Sequence, residues 1–329
     1  MKVWDLHCDT LSELRRAEQA GRPLSFARSG LHIDLEKLEA GDYLLQCFAA
    51  FVDLGSEEDP LVTALEEIDV FKRVMAAYPD RIAPVYTAAD IGRNAAAGRI
   101  SAMLTVEEGG CCKGSLGVLR RLYELGVRMM TLTWNYDNDL AASNVKEKAP
   151  FVWPCPPDAE HGLTEKGLAF LAEMERLHMI VDVSHLSDKG FWDIVQHSTR
   201  PFAASHSNCR ALAPHCRNLT DEMIRAMAER GCIAGLNYCT VFLDDQPDPA
   251  DCRSTAALIA QHAAHFKQVG GAQMIALGSD FDGIGGPLEL DSCAKMPLLA
   301  DALRKAGFTE DEVEGIFWRN ARRFFEENL

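Results

Sequence analysis

Short runs of apolar residues, many of them β-branched or aromatic, alternate along the chain with longer stretches in which apolar positions recur every three or four residues. The runs fall at 3–8, 43–52, 101–106, 128–134, 179–184, 201–205, 231–237 and 274–279, each of strand length. A ninth, at 82–86, reads as either an extra strand or a loop. Between the runs, Leu116, Leu119 and Leu122 share a helical face that stops at Gly126, and Leu168, Leu171 and Met174 lead toward Leu177. Thr309 and Glu312 have capping-box spacing ahead of Val313, Ile316 and Phe317, which predicts that the chain ends on a helix. No linker, low-complexity segment or internal repeat divides the sequence. Eight strands with intervening helices therefore predict one α/β domain over 1–329, a single (β/α)8 TIM barrel with a C-terminal helix.

The polar residues gather where these strands end. His7 and Asp9 close the first, Glu107 the third, His185 the fifth, His206 the sixth, and Asp280 and Asp282 the eighth. In a barrel those ends converge on the face that carries active sites. Residues i and i+2 of a strand point the same way, so His7 and Asp9 can reach one ion while Cys8 turns from it. Imidazole and carboxylate together suit Zn²⁺, and five such ligands exceed what one catalytic ion needs. A carboxylate such as Glu107 can bridge two ions about 3.5–4 Å apart, so the pattern predicts a binuclear site.

Each piece has an ordinary reading beside this one. A strand-end histidine taken alone is more often a hydrogen-bonded core residue, so the weight rests on the joint pattern. Asp5, Asp182, Asp188 and Glu108 read as helix caps or partners of cations. Cys111 and Cys112 read as packing, because adjacent cysteines chelate one ion poorly. His262 and His265 read as solvated or capping, and His161 and His215 as candidates for a pocket mouth.

Charge and cysteine usage narrow the partners. There are 33 Lys+Arg against 49 Asp+Glu, a net charge of −16 that repels phosphate backbones and anionic lipid. Neither a nucleic-acid nor a membrane partner is expected. Asp5, His7 and Asp9 interrupt the start of the chain where a signal peptide would be apolar, and no stretch reaches the ~20 apolar residues of a membrane span. The 11 cysteines are scattered rather than densely spaced, which fits thiols used as core residues in a reducing, cytoplasmic setting. There is no Gly-x-Ser-x-Gly elbow and no glycine-rich phosphate loop.

Eight segments carry a resemblance: DLHCDTL at 5–11, TVEEGG at 105–110 with SLGVLRRLYELGVRMMTLTWN at 115–135, GLTEKG at 162–167, IVDVSHLS at 180–187, PFAASHSNCRAL at 201–212, RNLTDE at 217–222 and GSDFDG at 278–283. In this order the chain resembles the membrane (renal) dipeptidase family of zinc metallopeptidases, within the amidohydrolase-like barrels. The resemblance implies two Zn²⁺ per chain. His7 and Asp9 would bind one, His185 and His206 the other, and Glu107 would bridge them, with Glu108 as the alternative. It further implies that Arg217 grips the free carboxylate of a dipeptide and that Asp280 attends the reacting water. The implied reaction is hydrolysis of L-Xaa-L/D-Xaa dipeptides by a metal-bridging hydroxide.

One departure matters. The animal enzyme has a histidine after its LTLT stretch that polarises the scissile carbonyl, whereas here Thr133 is followed by Trp134 and Asn135. Asn135, the metal or another group must then meet the oxyanion, which makes Asn135 a candidate substrate-binding residue. The secretion and lipid-anchor signals of the animal enzyme do not carry over, and a homodimer is compatible with the sequence. Two alternatives remain open. One is another binuclear barrel metallohydrolase acting on a lactone, cyclic amide or phosphoester, against which His-x-Asp and Arg217 argue. The other is a non-catalytic metal-binding homolog, against which the full ligand set argues.

Overall fold

The apolar runs form β1 (Val3–Asp5), β2 (Tyr43–Phe51), β3 (Ile82–Pro84), β4 (Ile100–Glu107), β5 (Val127–Thr131), β6 (Ile180–Asp182), β7 (Ala203–Ala204), β8 (Ile233–Leu236) and β9 (Ile275–Leu277) in a computed structural model, which describes residues 1–145 and 155–329. All pairings between these strands are parallel, and β1, β2, β4, β5, β6, β7, β8 and β9 close into a ring as β9 returns to β1. This is the eight-stranded α/β barrel. The ninth run is a strand outside the ring: β3 pairs only with β4, along Ile100 to Ala102, below the point where β5 takes over the same edge at Leu104.

Most ring strands are shorter than their apolar runs. The ladder stops at Asp5 rather than residue 8, and at Thr131 rather than 134. Past these points the chain leaves the sheet and turns polar side chains into the barrel mouth. Strand alternation decides which residues go there. On β4, Ala102, Leu104 and Val106 join the large apolar cluster shared with the helices. Met103 joins the cluster inside the ring, with Leu45, Cys47, Met129, Ile180 and Ile233, so Glu107, of the same parity, projects inward at the top.

The opposite end of the ring is covered by the C-terminal helix. Thr309 and Glu312 form the expected capping box, and the helix Asn320–Asn328 brings Ala321, Phe324 and Phe325 into the inner cluster, Phe325 stacking on Trp4 at 5.4 Å. The helix Leu116–Leu125 ends at Gly126, whose φ of 114° a side chain would resist. Nine cysteines are buried free thiols, Cys111 and Cys112 among them, whereas Cys155 and Cys216 form a disulfide across 61 residues, a pairing that spacing alone did not disclose. Among the described residues no helix is long and apolar enough to cross a membrane.

Candidate metal centre

The chain leaves β1 through His7 and reaches the helix Thr10–Gln19 with Asp9 as its N-cap residue. Cys8 between them turns away to donate to the carbonyl of Cys47. His7 Nε2 stands 3.5 Å from Asp9 Oδ2 and 3.2 Å from Glu107 Oε2. The other oxygen of Glu107, Oε1, lies 2.8 Å from His185 Nε2 and 3.6 Å from His206 Nε2, and those two nitrogens are 3.0 Å apart. Asp280 Oδ1 is 3.9 Å from His7 Nε2, and Asn237 donates to its Oδ2 at 2.9 Å. Five strand ends, contributed by residues up to 273 positions apart (280 − 7), thus meet around one carboxylate.

The electrostatics divide the cluster in two. Burial lowers the pKa of His185 to about 3, helped by the Arg217 charge, and burial also holds His206 well below the usual imidazole range. Both imidazoles are neutral, the form that ligates a metal. Burial works against a proton on His7, but Glu107 and Asp9 outweigh it and hold its pKa well up. Burial likewise opposes charge on Glu107, yet His7, His185 and His206 keep it well below the carboxylate range. His7 Nε2 and Asp9 Oδ1 are buried without a hydrogen-bond partner, atoms a cation would satisfy. Three imidazoles and two carboxylates fit Zn²⁺ or a similar divalent ion.

A second layer orients these groups. His206 Nδ1 meets Ser205 Oγ at 2.7 Å, and Ser205 in turn donates to Asp182. His185 Nδ1 is 3.0 Å from Asn135 Oδ1. Asp5 accepts the backbone N–H of Ser279 at 2.9 Å, fixing the approach to Asp280. Asp282 accepts from Thr10 Oγ1 at 2.7 Å and from the His32 N–H at 2.6 Å, tying the Asp280 loop to the Asp9 loop.

Sequence reasoning missed this layer, because Asp5, Asp182 and Glu108 read as caps or cation partners. Asp5 and Asp182 are instead buried acceptors from serine hydroxyls and backbone N–H groups on other elements, whereas Glu108 does cap a turn, Gly109–Cys112, through the Gly110 N–H and also accepts the Trp134 N–H beyond β5. Asp188 does pair with a cation, Arg210, at 2.6 Å. His262 is not solvated: it is buried, with Nδ1 accepting the Cys209 N–H, while His265 pairs with Asp221. His161 pairs with Asp158, and His215 packs 4.7 Å from the ring of Phe242. Cys155, His215 and Cys216 also converge, but the two sulfurs are bonded to each other.

A cavity of about 360 Å³ opens over the cluster, lined by Asp9, Glu107, Asn135, His185 and Asp280 and walled by Phe51, Trp134, Phe242 and Ile284. Trp134 packs edge-on to Phe51 at 4.9 Å. Arg217 lies behind this lining, its guanidinium 5.4 Å from the Phe242 ring and its Nη2 donating to the His206 carbonyl at 3.3 Å. It is buried with no carboxylate within 4.0 Å among the described residues, and its Nε has no partner.

A closed parallel barrel with histidines and carboxylates gathered at the C-terminal ends of its strands defines a metal-dependent hydrolase of the amidohydrolase-like kind. The comparisons narrow this class. The profile of Membrane dipeptidase (Peptidase family M19) matches residues 1–328. The chain belongs to that family and is a metallo-dipeptidase. An uncharacterized dipeptidase of Schizosaccharomyces pombe is 32% identical over 310 residues, 90% of this chain and 72% of the relative. An uncharacterized protein in the pqqA 5' region of Klebsiella pneumoniae is 33% identical over 262 residues, 80% of this chain and 94% of the relative. Among solved structures, the metallopeptidase dipeptidase AC superposes with a TM-score of 0.89 at 28% identity, covering 100% of this chain and 98% of the other. A metallopeptidase from Rhodobacter sphaeroides, liganded with a phosphinate mimic of the dipeptide L-Ala-D-Ala, gives 0.88 at 27% identity, covering 100% and 99%.

Proposed function

We propose that the protein is a binuclear zinc dipeptidase that hydrolyses L-Xaa-L-Xaa and L-Xaa-D-Xaa dipeptides. The observation that carries this is the split of Glu107, with Oε2 at 3.2 Å from His7 Nε2 and Oε1 at 2.8 Å from His185 Nε2. His7 and Asp9 would hold one ion, His185 and His206 the other, and Glu107 both. When bound, two divalent cations acidify a water toward neutrality and polarise the scissile carbonyl.

Asp280 takes the proton from the attacking water and returns it to the leaving amine. It lines the cavity over the cluster, with Oδ1 3.9 Å from His7 Nε2 and Oδ2 held by the Asn237 side chain at 2.9 Å, within reach of a water placed there. Arg217, a buried cation without a carboxylate partner among the described residues, meets the free carboxylate of the dipeptide through paired N–H donors. The buried Nδ2 of Asn135 has no acceptor and is offered to the substrate carbonyl, in place of the histidine that Trp134 supplants. The Rhodobacter sphaeroides relative, bound to a mimic of L-Ala-D-Ala, supports a D-residue at the C-terminal position.

Metal content per chain and a panel of L,L and L,D dipeptides beside a lactone and a phosphoester test the reading together. Glu107→Gln is expected to lose bound metal and at least roughly 100-fold in kcat. Retention of two ions with near-normal turnover would refute the bridge. Arg217→Ala is expected to raise KM for dipeptides by roughly 100-fold while sparing a C-terminally amidated analogue. An unchanged KM removes the clamp.

A further inference from the structure

Glu107 and Glu108 are adjacent, yet they serve opposite directions. Glu107 points into the mouth of the barrel, whereas Glu108, with φ of 96° and no exposed surface, sends its carboxylate to the segment that follows β5. There Oε2 accepts the Trp134 N–H at 2.8 Å, and Oε1 accepts from the Gly110 N–H at 2.6 Å and from the Asn138 side chain. The next residue after Trp134 is Asn135, fully buried, with Oδ1 at 3.0 Å from His185 Nδ1. Ser143 closes the frame, its hydroxyl donating to the Trp134 carbonyl and lying 3.2 Å from the carbonyl of His185.

We infer that Asn135, held by Glu108 through the Trp134 backbone, is the positioning residue for the His185 half of the metal centre. A neutral imidazole carries one proton. With Nδ1–H donating to the Asn135 oxygen, Nε2 keeps its lone pair and faces Glu107 Oε1 at 2.8 Å. The opposite amide orientation would give Nδ1 a donor, put the proton on Nε2 and abolish the ligand. This orientation also explains why Asn135 Nδ2 is left unpartnered. His206 has a separate brace in Ser205 and Asp182, and His185 itself sits at φ of 70°, where its backbone alone does not secure the ring. The two halves of the centre are therefore braced independently.

The inference rests on His185 being a ligand, and its test separates the two ideas. Apo wild type, Asn135→Leu, Asn135→Ala, Asn135→Asp and Glu108→Ala are titrated with Zn²⁺ in competition with a chelator, with metal content and melting temperature read on each. Asn135→Leu and Asn135→Ala are expected to bind one ion as wild type does and the other roughly 10–100-fold more weakly. Asn135→Asp, which keeps an acceptor for Nδ1–H, should restore the affinity to within a few-fold, a rescue that a merely structural residue would not show. Glu108→Ala should weaken the same ion. Two ions bound to Asn135→Ala with wild-type affinity would overturn the positioning role alone. A wild type that takes up a single ion would overturn the binuclear reading and this inference with it.

Discussion

A methyl group on Gly283 would sit 2.0 Å from Asp9 Oδ2 and 2.7 Å from Asp280 Oδ1, so the two acids can approach only because that residue has no side chain. Gly283→Ala is therefore expected to lose about 100-fold in kcat/KM by displacing both carboxylates, with little change in melting temperature. Activity within about threefold of wild type would show that the acids need not be so close. The same economy appears in the backbone. His185, Asp280, Asp282 and Glu108 all have positive φ, conformations that cost on the order of 1–3 kcal/mol each for residues with side chains. At this scale the ligand types were legible, because imidazoles and carboxylates at strand ends are visible in any linear reading. Their braces were not: Asp182 reaches Ser205 and Glu108 reaches Trp134 only through the fold.

At the scale of elements, periodicity located the strands and helices well and their ends poorly. Apolar character continues past Thr131 and before Ala203, but a strand ends where its ladder partners end, and that is set by neighbours in the ring. The run at 82–86 could not be placed for the same reason, since β4 has a free edge below Leu104 only because β5 joins higher up. The C-terminal helix was anticipated from its capping box, while its role was not: it closes the end of the barrel opposite the metal cluster by stacking Phe325 on Trp4. Phe325→Ala should cost about 3–5 kcal/mol of unfolding free energy, read from denaturant midpoints, and leave KM unchanged. A change in KM as large as that in stability would mean that the two ends of the barrel are coupled.

For the whole molecule, the net charge of −16 says less than where particular acids lie. Most are exposed and paired with arginines or solvated, but Glu67, on the helix Pro60–Ala77, is buried against the C-terminal end of β2, accepting from the Phe51 N–H and the Ser12 hydroxyl. Burial pushes its pKa up from 4.5 to about 8, so between these values the folded protein holds a proton that the unfolded chain releases. Stability from this group is thus full in acid and lost as pH rises through that window, at up to roughly 1.4 kcal/mol per pH unit. Glu67→Gln keeps an acceptor oxygen and removes the charge. Its stability relative to wild type, measured by urea unfolding, should rise between about pH 5 and about pH 9. Parallel pH profiles would place the Glu67 proton elsewhere.

What the sequence determined by itself is local or chemical. Apolar period separates strand from helix, residue type makes a ligand or a cation, and the ordered segments from residue 5 to residue 283 identify the family. Tertiary structure decided what depends on approach between distant positions. Thr10 meets Asp282 across 272 residues and Ser279 meets Asp5 across 274. Strand parity turns Glu107 inward, the left-handed backbone after it turns Glu108 toward the Trp134 N–H, and only ring closure gives each oxygen of Glu107 its own histidines. A linear pattern fixes neighbours along the chain. The buried hydrogen bonds and charges that tune this centre are made between residues the chain brings together only when the barrel closes.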